Sequence, residues 1–315
     1  MDHFQSQWTL SSLAGSGVPL NFIDARRCTV QLENGHLYLD AIVAPGRSLI
    51  GYDEPRSAQM SAAEAVALID AMSARHRCVA LTTGHDEALT LAAEILTRRC
   101  GEKTSITVVP AEYGEPQGAD GPFVAFENVS LVRSGRWLAS TGWARPPDAI
   151  VIGDALAGGA PFAAVLADQR LCDANVPALR VCSCSAESLA RVAAVITTVR
   201  DQDLLEYLPT LDRYLRDRLE SVVATQSAFG VIEFSPLRAI ITMPTPVAGA
   251  RLKRRLCERG VLVGLNERGG VVIAPPLVIR PAEIDVISGA LRAAAVDRAW
   301  RPALCCPACA AVATD

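Results

Sequence analysis

A chain of 315 residues, half of them apolar, is long enough for one large or two modest domains around a substantial core. Its formal net charge of −4 and the lack of a long basic run exclude nucleic acid or an anionic membrane surface as its main partner. No stretch reaches the roughly 18 uninterrupted apolar residues of a membrane span, and the start, MDHFQSQWTLSSLAGSG, lacks the order of a signal peptide, so a soluble cytoplasmic protein is expected.

The 10 cysteines do not read as a disulfide framework. Cys28, Cys78, Cys100, Cys172 and Cys257 stand singly in apolar or helical surroundings, where a reduced thiol behaves as a small hydrophobe. Cys306 and Cys309 form a Cys-x-x-Cys pair in CCPAC, but no second pair or histidine cluster follows, so no metal is expected. Residues 301–315 read as a disordered tail.

In chain order, Ser61 and Glu64 are spaced as a capping box opening a helix with Val66, Ile69 and Met72 on one face. CVALTTG (78–84) predicts a buried strand ending in a turn, and HDEALTLAAEILTRR a helix after it. FVAFENV (123–129) and AIVIG (149–153) are further buried-strand runs, the second leading through Asp154 into a glycine-rich bend. Strands apolar on both faces and separated by helices predict a parallel sheet covered on both sides. The last third predicts a helix with Leu208, Leu211, Leu215, Leu219 and Val222 on one stripe and Pro209 in its first turn. After it come a strand at AIITMP, a helix at AGARLKRRLCERG stopped by Gly260, strands at VLVGL and GVVIAPPL, and a helix opened by Pro281. That order predicts a small mixed-sheet domain.

Six landmarks occur in order: GHLYLDAIVAPGRSLIGYDEPR (35–56), LTTGHDEA (81–88), FENV (126–129), SGRWLAS (134–140), PDAIVIGDALAGGAPFAAVL (147–166) and VVIAPPLVI (271–279). Together they resemble the class III pyridoxal-phosphate-dependent aminotransferases, over nearly the whole chain. The resemblance implies the α/β type I aminotransferase fold, with a mainly parallel sheet flanked by helices and a smaller α+β domain. It divides the chain into an N-terminal segment (1–45) packing with the small domain, a large domain (46–205) shortened around 100–122, and a small domain (206–300).

The resemblance also implies site positions. Family members hold the cofactor on a lysine just before the glycine-rich bend, and Asp154 stands there. Only two lysines occur, Lys103 after the helix ending near TRRCGEK and Lys253 on a helix of the small domain, and neither is placed to replace it. A carboxylate about 5 Å from another anion costs roughly 3 kcal/mol at an effective dielectric near 20, so Asp154 also weakens cofactor binding. Val272 takes the position of the substrate-carboxylate arginine, with Arg268 nearby in sequence as a weak substitute. The short stretch from Arg99 to Phe123 replaces a longer family segment that carries the ring-stacking aromatic, and Tyr113 is the one aromatic in its loop AEYGEPQGADG.

Matching positions remain. Glu127 corresponds to the carboxylate facing the pyridine nitrogen, Val129 to the ring-packing valine and Ser183 to a threonine reaching the phosphate from a neighbouring subunit, while Thr83 and Gly84 precede a helix whose N-terminal amides and dipole can receive a phosphate. Each also has a structural reading, as a satisfied buried acid, a helix cap or a loop hydroxyl. Three functions stay open. The first is a structural or regulatory subunit without transaminase activity, forming a homodimer or a heterodimer with an active relative. The second is an enzyme using noncovalent pyridoxal phosphate, or Asp154 as an acid or base. The third is a module binding a phosphate or small ligand in the old cleft.

Overall fold

A computed structural model of the chain describes residues 22–32, 35–43, 48–52, 60–101, 105–118, 121–171, 181–226 and 229–296. The chain divides into two compact units, one formed by Met1–Asp53 with Pro209–Asp315 and the other by Glu54–Leu208.

The first unit opens with strands β1 (Phe22–Arg26), β2 (Thr29–Leu32) and β3 (Leu37–Asp40), joined antiparallel in sequence order. β2 alternates half-buried and buried residues, placing Val30 and Leu32 against Tyr38, Cys257 and Leu262.

The second unit begins with helix α1 (Ala62–Asp70), where the capping box is present: the Glu64 amide donates to Ser61 Oγ at 3.2 Å, and the Ser61 amide to Glu64 Oε2 at 2.8 Å. There follow β4 (His76–Thr82), α2 (His85–Cys100), β5 (Thr107–Pro110), β6 (Phe123–Glu127), β7 (Ala149–Ile152), β8 (Ala163–Asp168), β9 (Val181–Cys182) and α3 (Ala186–Asp201). The strands form one six-stranded sheet in the order β5-β6-β7-β8-β4-β9. Helix α2 lays Ala88, Ala92, Ile95 and Leu96 on Val124, Val151 and Val165 of that sheet, while α1 packs on β4 and α3.

The predicted parallel sheet is parallel except at β8, which runs antiparallel to both β7 and β4. Composition conceals this reversal, because β8 is buried along its whole length as a central parallel strand would be. The link from β7 to β8 is a 3-10 turn, Asp154–Ala157, followed by Gly158 and Gly159 at φ 63° and 86°. These left-handed positions suit glycine and let the chain return beside the strand it has just left.

Helix α4 (Leu204–Val223) carries the predicted stripe, but Pro209 lies inside it and not in its first turn. The helix starts earlier because Leu204 is buried on the same stripe as Leu208, Leu211 and Leu215. The first unit then resumes with β10 (Ile232–Ser235), β11 (Arg238–Ile241), α5 (Pro246–Cys257), β12 (Val261–Leu262), β13 (Gly264–Leu265), β14 (Val271–Ile273) and α6 (Pro281–Val296). VLVGL is thus two strands: β12 joins the N-terminal sheet parallel to β3, and β13 joins an antiparallel sheet ordered β10-β11-β14-β13. Gly249 of α5 fits closely at the β13–β14 turn, since a Cβ there would lie 1.8 Å from the Gly269 carbonyl oxygen.

Candidate functional site

Strands β4, β6, β7 and β9 point the same way, so the residues just past their ends, Thr83, Asn128, Asp154 and Ser183, gather along one edge of the sheet. The carboxyl edge of an α/β sheet is where such folds place ligands. Asp154 is half-buried there, opening the turn after β7. Its Oδ1 accepts a hydrogen bond from Asn128 Nδ2 at 3.0 Å, while Asn128 Oδ1 accepts from the Ala155 amide at 2.9 Å. Gly153 makes this clamp feasible, because a Cβ on it would lie 2.6 Å from Asn128 Cγ. The requirement is close approach, since Gly153 itself has ordinary extended backbone at φ −88°.

Glu127 ends β6 fully buried. Its Oε2 accepts from Ser130 Oγ at 2.5 Å and its Oε1 from the Ser140 amide at 2.7 Å. Burial raises its pKa above the usual carboxylate range, against the lowering effect of those two partners. Both oxygens are therefore engaged within the unit, and Val129 lies half-buried in the following turn. Tyr113 is 78% exposed.

Gly84 is the N-cap of α2 and makes no side-chain cap bond. Thr83 Oγ1 lies 3.5 Å from Glu87 Oε2, and Ser183 Oγ lies 3.4 Å from that same oxygen. Ser183 is brought there by its amide, which donates to the Leu81 carbonyl at 3.0 Å. Two candidate phosphate ligands thus face a carboxylate of their own chain. Asp86 and Glu87 already supply negative charge to the first turn, where the helix dipole favours it.

In the other unit, Val272 is buried on β14 and packs with Ile42 and Ala274, while Arg268 is exposed in the β13–β14 turn, its amide donating to Asn266 Oδ1 at 3.1 Å. Lys253 lies on α5. Lys103, the Cys306–Cys309 pair and the 301–315 tail lie outside the described residues. Among the described residues no cluster of three His, Cys, Asp or Glu is arranged to hold a metal, and no helix is long and apolar enough to cross a membrane.

Sequence reasoning did not single out Asn128 or Glu87. Asn128 directly follows the last residue of β6, where a short amide side chain can reach the neighbouring strand end. Glu87 stands four residues after Thr83, the spacing of neighbours on a helix surface.

A family model for aminotransferase class-III matches residues 129–295. The chain belongs to the class III aminotransferase family. The family member is 26% identical over 224 residues to the diaminobutyrate–2-oxoglutarate aminotransferase of Rhizobium meliloti, covering 65% of this chain and 44% of that protein. It is 31% identical over 182 residues to the ornithine aminotransferase of an Exiguobacterium species, covering 54% and 43%. It spans less than half the length of these curated relatives. Among solved structures, it matches the acetylornithine aminotransferase of Elizabethkingia anophelis with a TM-score of 0.72 at 17% identity, over 88% of this chain and 94% of that one. The ornithine aminotransferase of Toxoplasma gondii, whose structure has pyridoxal phosphate at partial occupancy in its active site, gives 0.72 at 15% identity, over 88% and 89%. The fold is that of the type I aminotransferases.

At the positions that the resemblance assigns to the cofactor, the Asp154 carboxylate is bonded to Asn128, both Glu127 oxygens accept hydrogen bonds within the unit, and the Thr83 and Ser183 hydroxyls face Glu87.

Proposed function

We propose that this class III family member does not transaminate through a lysine-bound cofactor, and that it serves as a structural or regulatory subunit, paired with itself or with an active relative. The observation carrying this reading is Asp154 at the end of β7, its carboxylate tied to Asn128 at 3.0 Å. Transamination requires an amine that bonds covalently to the cofactor and then moves a proton. A carboxylate cannot form that bond. Glu87 beside Thr83 and Ser183 adds a second obstacle, since an incoming phosphate would meet like charge. Buried Val272 adds a third, because an aliphatic side chain offers no grip on a substrate carboxylate. Any pyridoxal phosphate taken up is held noncovalently. Cys28, Cys78 and Cys257 are buried, where a reduced thiol packs as a small hydrophobe, in keeping with a cytoplasmic setting.

The test is to mix the purified chain with pyridoxal phosphate, reduce with borohydride and weigh the intact protein, with a known aminotransferase treated in parallel. No mass gain is expected for this chain alongside full labelling of the control. A stoichiometric gain mapped to Lys103 or Lys253 overturns the reading. Light scattering on the same sample is expected to give the mass of a dimer for the self-paired form.

A further inference from the structure

Helix α5 turns Arg251, Leu252 and Arg255 towards a cavity of about 230 Å³ that lies wholly within the unit completed by the C-terminal half of the chain. Phe229, Met243, Val247 and Leu252 give the cavity an apolar wall. Its charge comes from two guanidinium groups, and among the described residues no carboxylate lines it. Arg255 donates one nitrogen to the Ala294 carbonyl at 3.0 Å, which fixes its side chain across the cavity and leaves further donors on the fork. The Arg251 side chain is exposed and has no hydrogen bond or ion pair with another described residue. The nearby acid Glu258 lies beside Arg254, at 4.0 Å. Spaced four apart, Arg251 and Arg255 lie on the same side of α5, and the helix begins at the same cavity with Thr245 as N-cap. The positive end of the helix dipole therefore adds to the field of the two side chains.

We propose that this cavity binds a monocarboxylate with a compact apolar body, the carboxylate taken by Arg251 and Arg255 and the body by the Phe229, Met243, Val247 and Leu252 wall. Guanidinium groups suit a planar carboxylate because their paired N–H donors match its two oxygens. A neutral apolar ligand would cover Arg251 without giving it a partner, which is unfavourable. At the ~30 Å³ that a water occupies in the liquid, the space holds about eight water-sized groups, the size of 4-methylpentanoate. The site is independent of the Asp154 region and of the reading drawn from it.

The experiment is calorimetric titration of the full chain with 4-methylpentanoate, with 4-methylpentanamide and with inorganic phosphate. Saturable one-site binding of the acid is expected. The amide should bind at least about tenfold more weakly, the equivalent of one charge-assisted hydrogen bond. Arg251→Gln, at an exposed position, should weaken the acid by a similar factor and leave the amide unchanged. No saturation by the acid, equal binding of acid and amide, or no effect of Arg251→Gln overturns the proposal. Phosphate binding as tightly as the acid also overturns it, because the apolar wall would then contribute nothing.

Discussion

Replacing Asp40 with asparagine should remove a pH dependence of stability built into the N-terminal sheet. Asp40 is completely buried at the end of β3, its Oδ2 accepting from Tyr52 Oη at 2.6 Å and its Oδ1 from the Ile42 amide at 2.9 Å. Burial outweighs both bonds and lifts its pKa from 3.8 to about 6. Between those values the folded chain keeps a proton that the unfolded chain has released, so stability falls as pH rises through the window and levels off above it. A rise from 3.8 to about 6 is worth about 3 kcal/mol, a large share of the roughly 5–15 kcal/mol that holds a typical domain. Asparagine keeps an acceptor for the Ile42 amide and a partner for Tyr52, and it does not titrate. Urea unfolding of wild type and Asp40→Asn, followed by circular dichroism from pH 4 to pH 7.5, measures the difference between the two. That difference should move about 3 kcal/mol in the variant's favour across the range. His76, whose pKa is lowered by burial between Ser73 and the Pro147 carbonyl, titrates in both proteins and cancels. Parallel stability curves would refute the reasoning.

Three further outcomes are expected. Gly153→Ala would push Asn128 off the β7 turn, release Asp154 and the Ala155 amide, and cost about 2 kcal/mol; unchanged stability together with unchanged amide exchange at Ala155 would refute it. Asp168→Ala removes a buried carboxylate that bonds Arg75 and, at 2.8 Å, Arg170, and should cost about 2 kcal/mol in urea unfolding, with a cost near zero counting against it. Ser61→Ala breaks the α1 capping box and should cost about 1 kcal/mol, restored in part by aspartate at the same position.

Where the sequence spoke clearly, local chemistry decided the structure. Ser61 and Glu64 announced their helix because both halves of a cap lie within four residues, and the Leu208 to Val222 stripe announced α4 because one periodic face is buried. What stayed hidden depended on distant partners. The split of VLVGL between two sheets is set by β3 on one side and β14 on the other, neither adjacent in sequence. Strand β5 is short and half exposed, and its place at the sheet edge is set by β6, which follows it only after an intervening loop. At the strand ends, Asp154 was visible as an odd residue at a landmark. Its tie to Asn128 needed the adjacency of β6 and β7, which only the folded sheet supplies.

The pairing of β3 with β12 joins Leu39 to Val261 across most of the chain. On the ribosome, at roughly 5–20 residues per second, the N-terminal strands wait on the order of ten seconds or more for that partner to be made. Glu54–Leu208 is synthesised in one piece during this interval and has all of its own sheet strands available. The edge of β3 stays open meanwhile, with Leu39 and its buried neighbours uncovered, so the nascent chain has a period in which a chaperone or another copy can reach a strand that the finished protein encloses. Slowing elongation between codons 54 and 260 should therefore lower the yield of folded protein without altering the folded state itself.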